Sequence, residues 1–147
     1  MSDEQISRDE IMAVYPTVAK IIAEARGCDA EQVKLDSSLI DDLGVESIDF
    51  VDIAFRLQRA FKIKIPRGKI VEDARGSLSA EAFEQKGVVS EAGIAALKTY
   101  LAEVPPARFS SPLLVADIPR LFTTETFCKV VIRQQRAAAA SAATQTT

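Results

Sequence analysis

The stretch Asp41-Asp42-Leu43-Gly44-Val45-Glu46-Ser47-Ile48-Asp49-Phe50 sets one hydroxyl just ahead of an apolar helical pattern. A serine so placed can do three kinds of chemistry. It can cap the orphan N–H groups of a helix start. It can act as a nucleophile, as on a strand-to-helix elbow of the G-x-S-x-G kind. It can carry a phosphodiester-linked group, because the free N–H groups and the positive end of the helix dipole stabilise a phosphate there. In that last case another enzyme performs the transfer. The nucleophile reading fails. The second glycine of the elbow and the strand before it are missing, and the chain contains no histidine to act as base. Capping and attachment are compatible, and both stay open on these residues alone.

The absence of histidine also excludes any His-containing metal site. Cys28 and Cys128 lie far apart in neither a disulfide framework nor a zinc pattern, so both are expected to be reduced and structural. No catalytic residue and no metal site is expected. Over 147 residues, 48% are hydrophobic and 27% charged, which suits one soluble domain with a modest core. No apolar run approaches the roughly 20 residues of a membrane span. The polar, acidic start MSDEQISRDE does not read as a secretory signal, so a cytoplasmic protein is expected. Residues 1–55 hold 13 acids and 4 bases, a net charge of −9, whereas residues 56–75 carry a net +5. The acidic half argues against nucleic acid and favours basic protein partners.

The elements that must position Ser47 read as helices. Ile11, Val14, Tyr15, Val18, Ile21 and Ile22 recur at helical spacing, with Pro16 as a point for a kink or broken first turn and Gly27 as a stop. Residues 28–46 read as a long loop anchored by Val33, Leu35, Leu39, Ile40 and Leu43. Residues 47–61, SIDFVDIAFRLQRAF, read as a second helix with two apolar stripes. Phe50, Ile53, Ala54, Leu57 and Phe61 form the core stripe. Ile48, Val51 and Phe55 lie opposite, flanked by Asp49, Asp52, Arg56 and Arg59, and this mixed patch reads as a docking face. Further helix starts are expected at Ser79 and Ser90. A last helix of about ten residues follows the capping signal Thr123-Thr124-Glu125-Thr126. No strand alternation is evident, so the chain is expected to be all-α.

The run DDLGVESIDFVDIAFRLQRAF followed by KIKIP resembles the acyl carrier protein family, whose signature is an acidic-Leu-Gly run, an Asp-Ser-Leu triplet and a helix. Here the triplet is Glu46-Ser47-Ile48. VAKIIAEARGCDAEQVKLDSSLIDDLG looks like the family's first helix and long loop, and LFTTETFCKVVI like its last helix. The resemblance covers about residues 7–66 and 120–132. It implies a four-helix bundle with an additional helical insertion over 67–119, the whole forming a single carrier domain over 1–135 with a disordered tail at 136–147.

The resemblance further implies that Ser47 carries covalent 4′-phosphopantetheine, added by a phosphopantetheinyl transferase. The arm would hold acyl chains as thioesters and present them to acyl-transfer, acyl-ligase or synthase enzymes of fatty-acid or lipid biosynthesis. The carrier itself would catalyse nothing and is expected to be a monomer. Ile48, Val51 and Phe55 would supply apolar contacts to those partners, and Glu46, Asp49 and Asp52 would meet their basic patches. A polyketide or an aminoacyl or peptidyl carrier is an alternative within the same chemistry. An unmodified helical interaction module is the alternative outside it. Two features depart from the family. The later part of the second helix turns basic, with Arg56, Arg59, Lys62 and Lys64, which favours dedicated partners with some acidic surface. The insertion could be inert, a partner platform, or a cap that widens the space for an acyl chain.

Overall fold

The computed structural model describes residues 6–66, 69–109 and 112–145. Helix α1 spans Arg8–Arg26. Ser7 caps it in a reciprocal box: its Oγ accepts the Glu10 N–H at 3.1 Å, and Glu10 Oε1 accepts the Ser7 N–H at 2.9 Å. The helix runs through Pro16, which is exposed one turn beyond the exposed Met12, so the carbonyl that loses its donor is on the wet side of the helix. It stops at Gly27, whose φ of 83° is the left-handed conformation glycine adopts without strain.

The loop that follows is ordered by its partners. Val33 and Leu39 are fully buried, and the Tyr15 hydroxyl donates to the Val33 carbonyl at 2.6 Å. Residues 35–39 then pair with the start of the last helix. Leu39 N–H donates to the Phe122 carbonyl, Thr124 N–H to Ser37, and Glu125 N–H to Leu35, all at 3.0–3.1 Å. Helix α2, Ser47–Phe61, ends at Lys62 in a left-handed cap. Helix α6, Thr124–Gln145, starts at a reciprocal pair in which Thr123 and Thr126 each take the other's N–H on a hydroxyl.

The core lies among α1, α2 and α6. Val18 and Ile22, Ile53 and Leu57, and Val131 and Cys128 are all inaccessible to solvent. Phe50 stacks on Phe127 with ring centres 6.0 Å apart and meets Phe122 edge-on at 6.1 Å, joining α2 to α6. Of the expected core stripe, Ile53 and Leu57 are fully buried, while Phe50, Ala54 and Phe61 are half-buried.

Residues between α2 and α6 fold onto this bundle. Helix α3 is Lys69–Arg75, α4 is the single turn Ala80–Phe83, and α5 is Glu91–Tyr100. The expected starts at Ser79 and Ser90 are capped as such, their hydroxyls accepting the N–H groups of Ala82 and Gly93. Leu97, Leu101, Val104 and Ile118 enter the same core as Val131.

Two expectations are corrected. The segment after α4 is not helical: Glu84–Gln85 (β1) pairs antiparallel with Val88–Val89 (β2). Lys86 and Gly87 both take positive φ, the conformation of a two-residue hairpin turn, and two valines follow. Leu113 and Val115 extend this small ladder through hydrogen bonds to Val89 and Gly87. The last helix is also longer than ten residues. It spans 22 residues and passes through the segment expected to be a disordered tail, where alanine, the best helix former, carries it on to Gln145.

Candidate functional site

Glu46, extended at φ −100° and ψ 166°, is the N-cap of α2, and Ser47 is the first residue of the helix. The Glu46 carbonyl accepts the Asp49 N–H at 2.9 Å, and Asp49 Oδ2 returns to the Glu46 N–H at 3.0 Å. The cap is therefore made by Asp49 and Glu46. A negative group in the first turn of a 15-residue helix also complements the dipole.

The approach to the helix is fixed from behind. Gly44 has a φ of 74°, and its N–H bonds to the Ile40 carbonyl at 3.0 Å; the Val45 N–H bonds to Leu39 at 2.8 Å, with Val45 buried. Arg26, at the end of α1, donates its Nε to the Leu43 carbonyl at 2.8 Å. A Cβ on Gly44 would lie 3.3 Å from that guanidinium, so glycine serves both the turn and the close approach. Asp42 accepts the Ser38 N–H at 2.8 Å, and Asp41 forms an ion pair of 2.7 Å with Arg108.

The second stripe of α2 is open. Ile48 is 73% exposed, Val51 62% and Phe55 54%. Three large apolar side chains on one helix face, uncovered while the opposite face holds the core, form a contiguous apolar ridge. The charged residues around it play different parts. Asp49 is engaged in the cap. Arg56 bridges Asp52 at 3.1 Å and Glu24 of α1 at 3.2 Å, tying α2 to α1. Arg59 places its guanidinium 5.6 Å from the Phe55 ring centre. Glu46 is exposed. The structure thus gathers Glu46, Ile48, Asp49, Val51, Asp52, Phe55, Arg56 and Arg59 along one helix that Ser47 opens. Arg26 and Arg108, which shape the approach, carry no local sequence signal.

An exposed helix start beside an apolar ridge fits a phosphodiester-linked arm that must reach solvent and neighbouring enzymes. A cleft of about 990 Å³, open to solvent, lies elsewhere. It runs between α3, α5 and α6, with Ala74, Leu78, Ala96, Tyr100, Arg133 and Ala137 among its walls, and takes no residue from α1, α2 or the loop before Ser47. The widened acyl space considered from the sequence therefore finds no support in this cleft. Burial pushes the Cys128 thiol up to about 12, which makes it inert at neutral pH. Among the described residues, no cluster of Cys, Asp and Glu can hold a metal ion, and no helix is long and apolar enough to cross a membrane.

The family described as phosphopantetheine attachment site matches residues 16–75, which takes in α2 and also α3, beyond the point at which the insertion was expected to begin. The acyl carrier protein AcpXL of Rhizobium meliloti (strain 1021) is 40% identical over 74 residues, covering 50% of this chain and 78% of that protein. The acyl carrier protein of Bdellovibrio bacteriovorus is 42% identical over 55 residues, 37% of this chain and 70% of that protein. AcpXL of Brucella melitensis biotype 1 is 46% identical over 54 residues, 37% of this chain and 58% of that protein. No solved structure matches the chain.

Proposed function

Because the chain belongs to the acyl carrier protein family, with 4′-phosphopantetheine as its covalent group, we propose that Ser47 is the residue to which that group is attached. The observation that carries this reading is the position of Glu46-Ser47-Ile48 at the start of α2, inside the residues matched by the phosphopantetheine attachment family. The group supplies a terminal thiol that holds acyl chains as thioesters. This chain's own residues present it. The pinned loop from Leu39 to Val45 fixes the helix start, and the first-turn N–H groups and dipole favour the phosphate.

The ridge of Ile48, Val51 and Phe55 is the surface that acyl-handling enzymes and a phosphopantetheinyl transferase would grip, with Glu46, Asp49, Asp52, Arg56 and Arg59 setting charge preference around it. Arg59 beside Phe55 and Lys62 at the helix end favour partners with an acidic patch against the end of α2. The carrier catalyses nothing itself. It works as a cytoplasmic monomer in fatty-acid or lipid biosynthesis, with residues 1–135 as one domain whose intervening helices pack on the bundle.

Co-expression with a broad-specificity phosphopantetheinyl transferase, followed by intact-mass measurement, tests the attachment. One added phosphopantetheine is expected, and it disappears in Ser47→Ala. An unmodified chain, under conditions that convert a control carrier, refutes the reading.

A further inference from the structure

Asp41 lies six residues before Ser47, in the acidic run that leads into α2. Two arginines from the far side of the intervening region reach it. Arg108 Nη2 lies 2.7 Å from Asp41 Oδ2, and Arg120 Nη1 lies 3.8 Å from Oδ1. Arg108 is not a loose surface side chain. The same Nη2 donates to the Arg120 carbonyl at 2.8 Å and meets Ser38 Oγ at 3.4 Å. Its backbone is held in the 3-10 turn Pro106–Arg108, and the next residue, Phe109, is buried. From the other side, Ser38 Oγ accepts the Asp41 N–H at 3.2 Å. Asp41, through its carboxylate and its backbone N–H, thus closes a set of contacts with the Arg108 guanidinium and the Ser38 hydroxyl.

We propose that Arg108 and Arg120 act as an internal cover over Asp41, so that the enzyme loading Ser47 meets the attachment loop with one of its acids already neutralised. The proposal rests on Ser47 being the attachment residue. Its physical basis is competition. An acidic loop attracts a basic partner surface through long-range charge. A guanidinium already within hydrogen-bond reach of Asp41 takes the place a partner's arginine or lysine would occupy and removes that acid from the steering field. Asp42 is partly engaged by the Ser38 N–H, which leaves exposed Glu46 as the acid nearest the serine. The region between α2 and α6 thereby becomes a specificity element. It disfavours transferases that need the whole acidic run and spares those that grip the apolar ridge of α2.

The test is steady-state transfer from coenzyme A to the full-length chain by a transferase with a basic docking surface, at low and high salt. Asp41→Asn, Arg108→Met with Arg120→Met, and all three together are compared with the unaltered chain. The cover predicts that Asp41→Asn alone does not lower KM, since it leaves two arginines unpaired towards a basic surface. The double arginine variant lowers KM about three- to tenfold at low salt, with kcat unchanged, and the gain vanishes at high salt. Adding Asp41→Asn to the arginine variant raises KM back towards the original value. If adding Asp41→Asn to the arginine variant leaves its KM unchanged, Asp41 is not the acid the arginines hold back and the cover is refuted. If the arginine variant leaves KM unchanged, or lowers kcat together with the melting temperature, the arginines are only structural and the proposal also falls. Arg120→Met alone guards against misfolding, since that side chain is 61% exposed; it should lower KM in the same direction, and an unchanged or raised KM counts against the cover. A chain that takes no phosphopantetheine at all overturns the attachment reading itself, which separates the two failures.

Discussion

Lys129 on α6 forms an ion pair of 2.9 Å with Glu103, whose side chain is 2% exposed and whose second oxygen takes the Thr126 hydroxyl at 2.5 Å. This contact joins the segment after α5 to the first turn of α6. Removing Lys129 strands the Glu103 charge in a site largely closed to water, while removing Glu103 leaves Lys129 only the longer contact with Glu125 at 3.8 Å. Lys129→Met should cost about 3 kcal/mol of stability, and Glu103→Gln less, because Glu125 still faces Lys129. The double replacement Glu103→Gln with Lys129→Met should recover a good part of that loss, since the buried Glu103 charge is removed together with its partner. Urea denaturation of the three variants measures it; simple additivity of the single losses would show that the pair is not coupled.

Gly93 is the third residue of α5, and its substitution runs against ordinary helix propensity. Alanine inside a helix normally gains up to about 1 kcal/mol over glycine. Here an added Cβ would stand 2.4 Å from the Phe83 carbonyl oxygen and 2.7 Å from Val89 Cγ1. The oxygen belongs to a backbone held by the Ser90 N–H at 2.8 Å, so it cannot swing aside. Overpacking of this kind costs about 1–3 kcal/mol, and Gly93→Ala should be net destabilising by about 1–2 kcal/mol. A rise in melting temperature would show that α5 shifts freely against the hairpin.

Glu10 links the start of α1 to the far part of α6. The Ser7 N–H and then the Arg136 guanidinium, at 2.8 and 2.9 Å, hold its carboxyl below the usual glutamate range. The unfolded chain therefore takes up this proton first as pH falls. The contribution to stability is present above about pH 4.3, the ordinary glutamate value, and is lost as pH drops through the lower folded value. Glu10→Gln should flatten the stability profile between about pH 5 and pH 3 relative to the unaltered chain. Parallel profiles from denaturation at several pH values would exclude the linkage.

What was legible in the sequence divides along physical lines. The two stripes of α2, the caps at Ser79, Ser90 and Thr123, and the stop at Gly27 are written in residues within a turn of one another, where periodicity and capping chemistry act. The position of Ser47 at a helix start was readable for the same reason. The hairpin was missed because its strands are two residues each, too short to show alternation, although the Lys86-Gly87 turn gave a local hint. The pairing of Leu39 with Phe122 and of Asp41 with Arg108 joins residues 83 and 67 positions apart, and no local pattern specifies such a partner. The extra length of α6 has no burial pattern to announce it: alanine-rich chain continues a helix already nucleated by the packed segment from Phe127 to Ile132.

The open ridge on α2 separates function from stability, because the same helix carries both kinds of apolar residue. Leu57 is fully buried, and Leu57→Ala should cost about 2–5 kcal/mol. Val51 and Phe55 are more than half exposed, so Val51→Ser and Phe55→Ser should change stability by no more than about 0.5 kcal/mol. If the ridge is the partner surface, these two replacements should nonetheless raise KM for phosphopantetheine transfer about tenfold, the loss expected when an anchoring apolar side chain leaves an interface. The aromatic ring carries more of this than the valine, because it offers more area and supports the Arg59 guanidinium. Transfer kinetics measured beside melting temperatures on the same preparations decide the matter. Unchanged KM in both variants would move the partner surface off this face of α2, while a loss of stability comparable to that of Leu57→Ala would show that the ridge is covered rather than free.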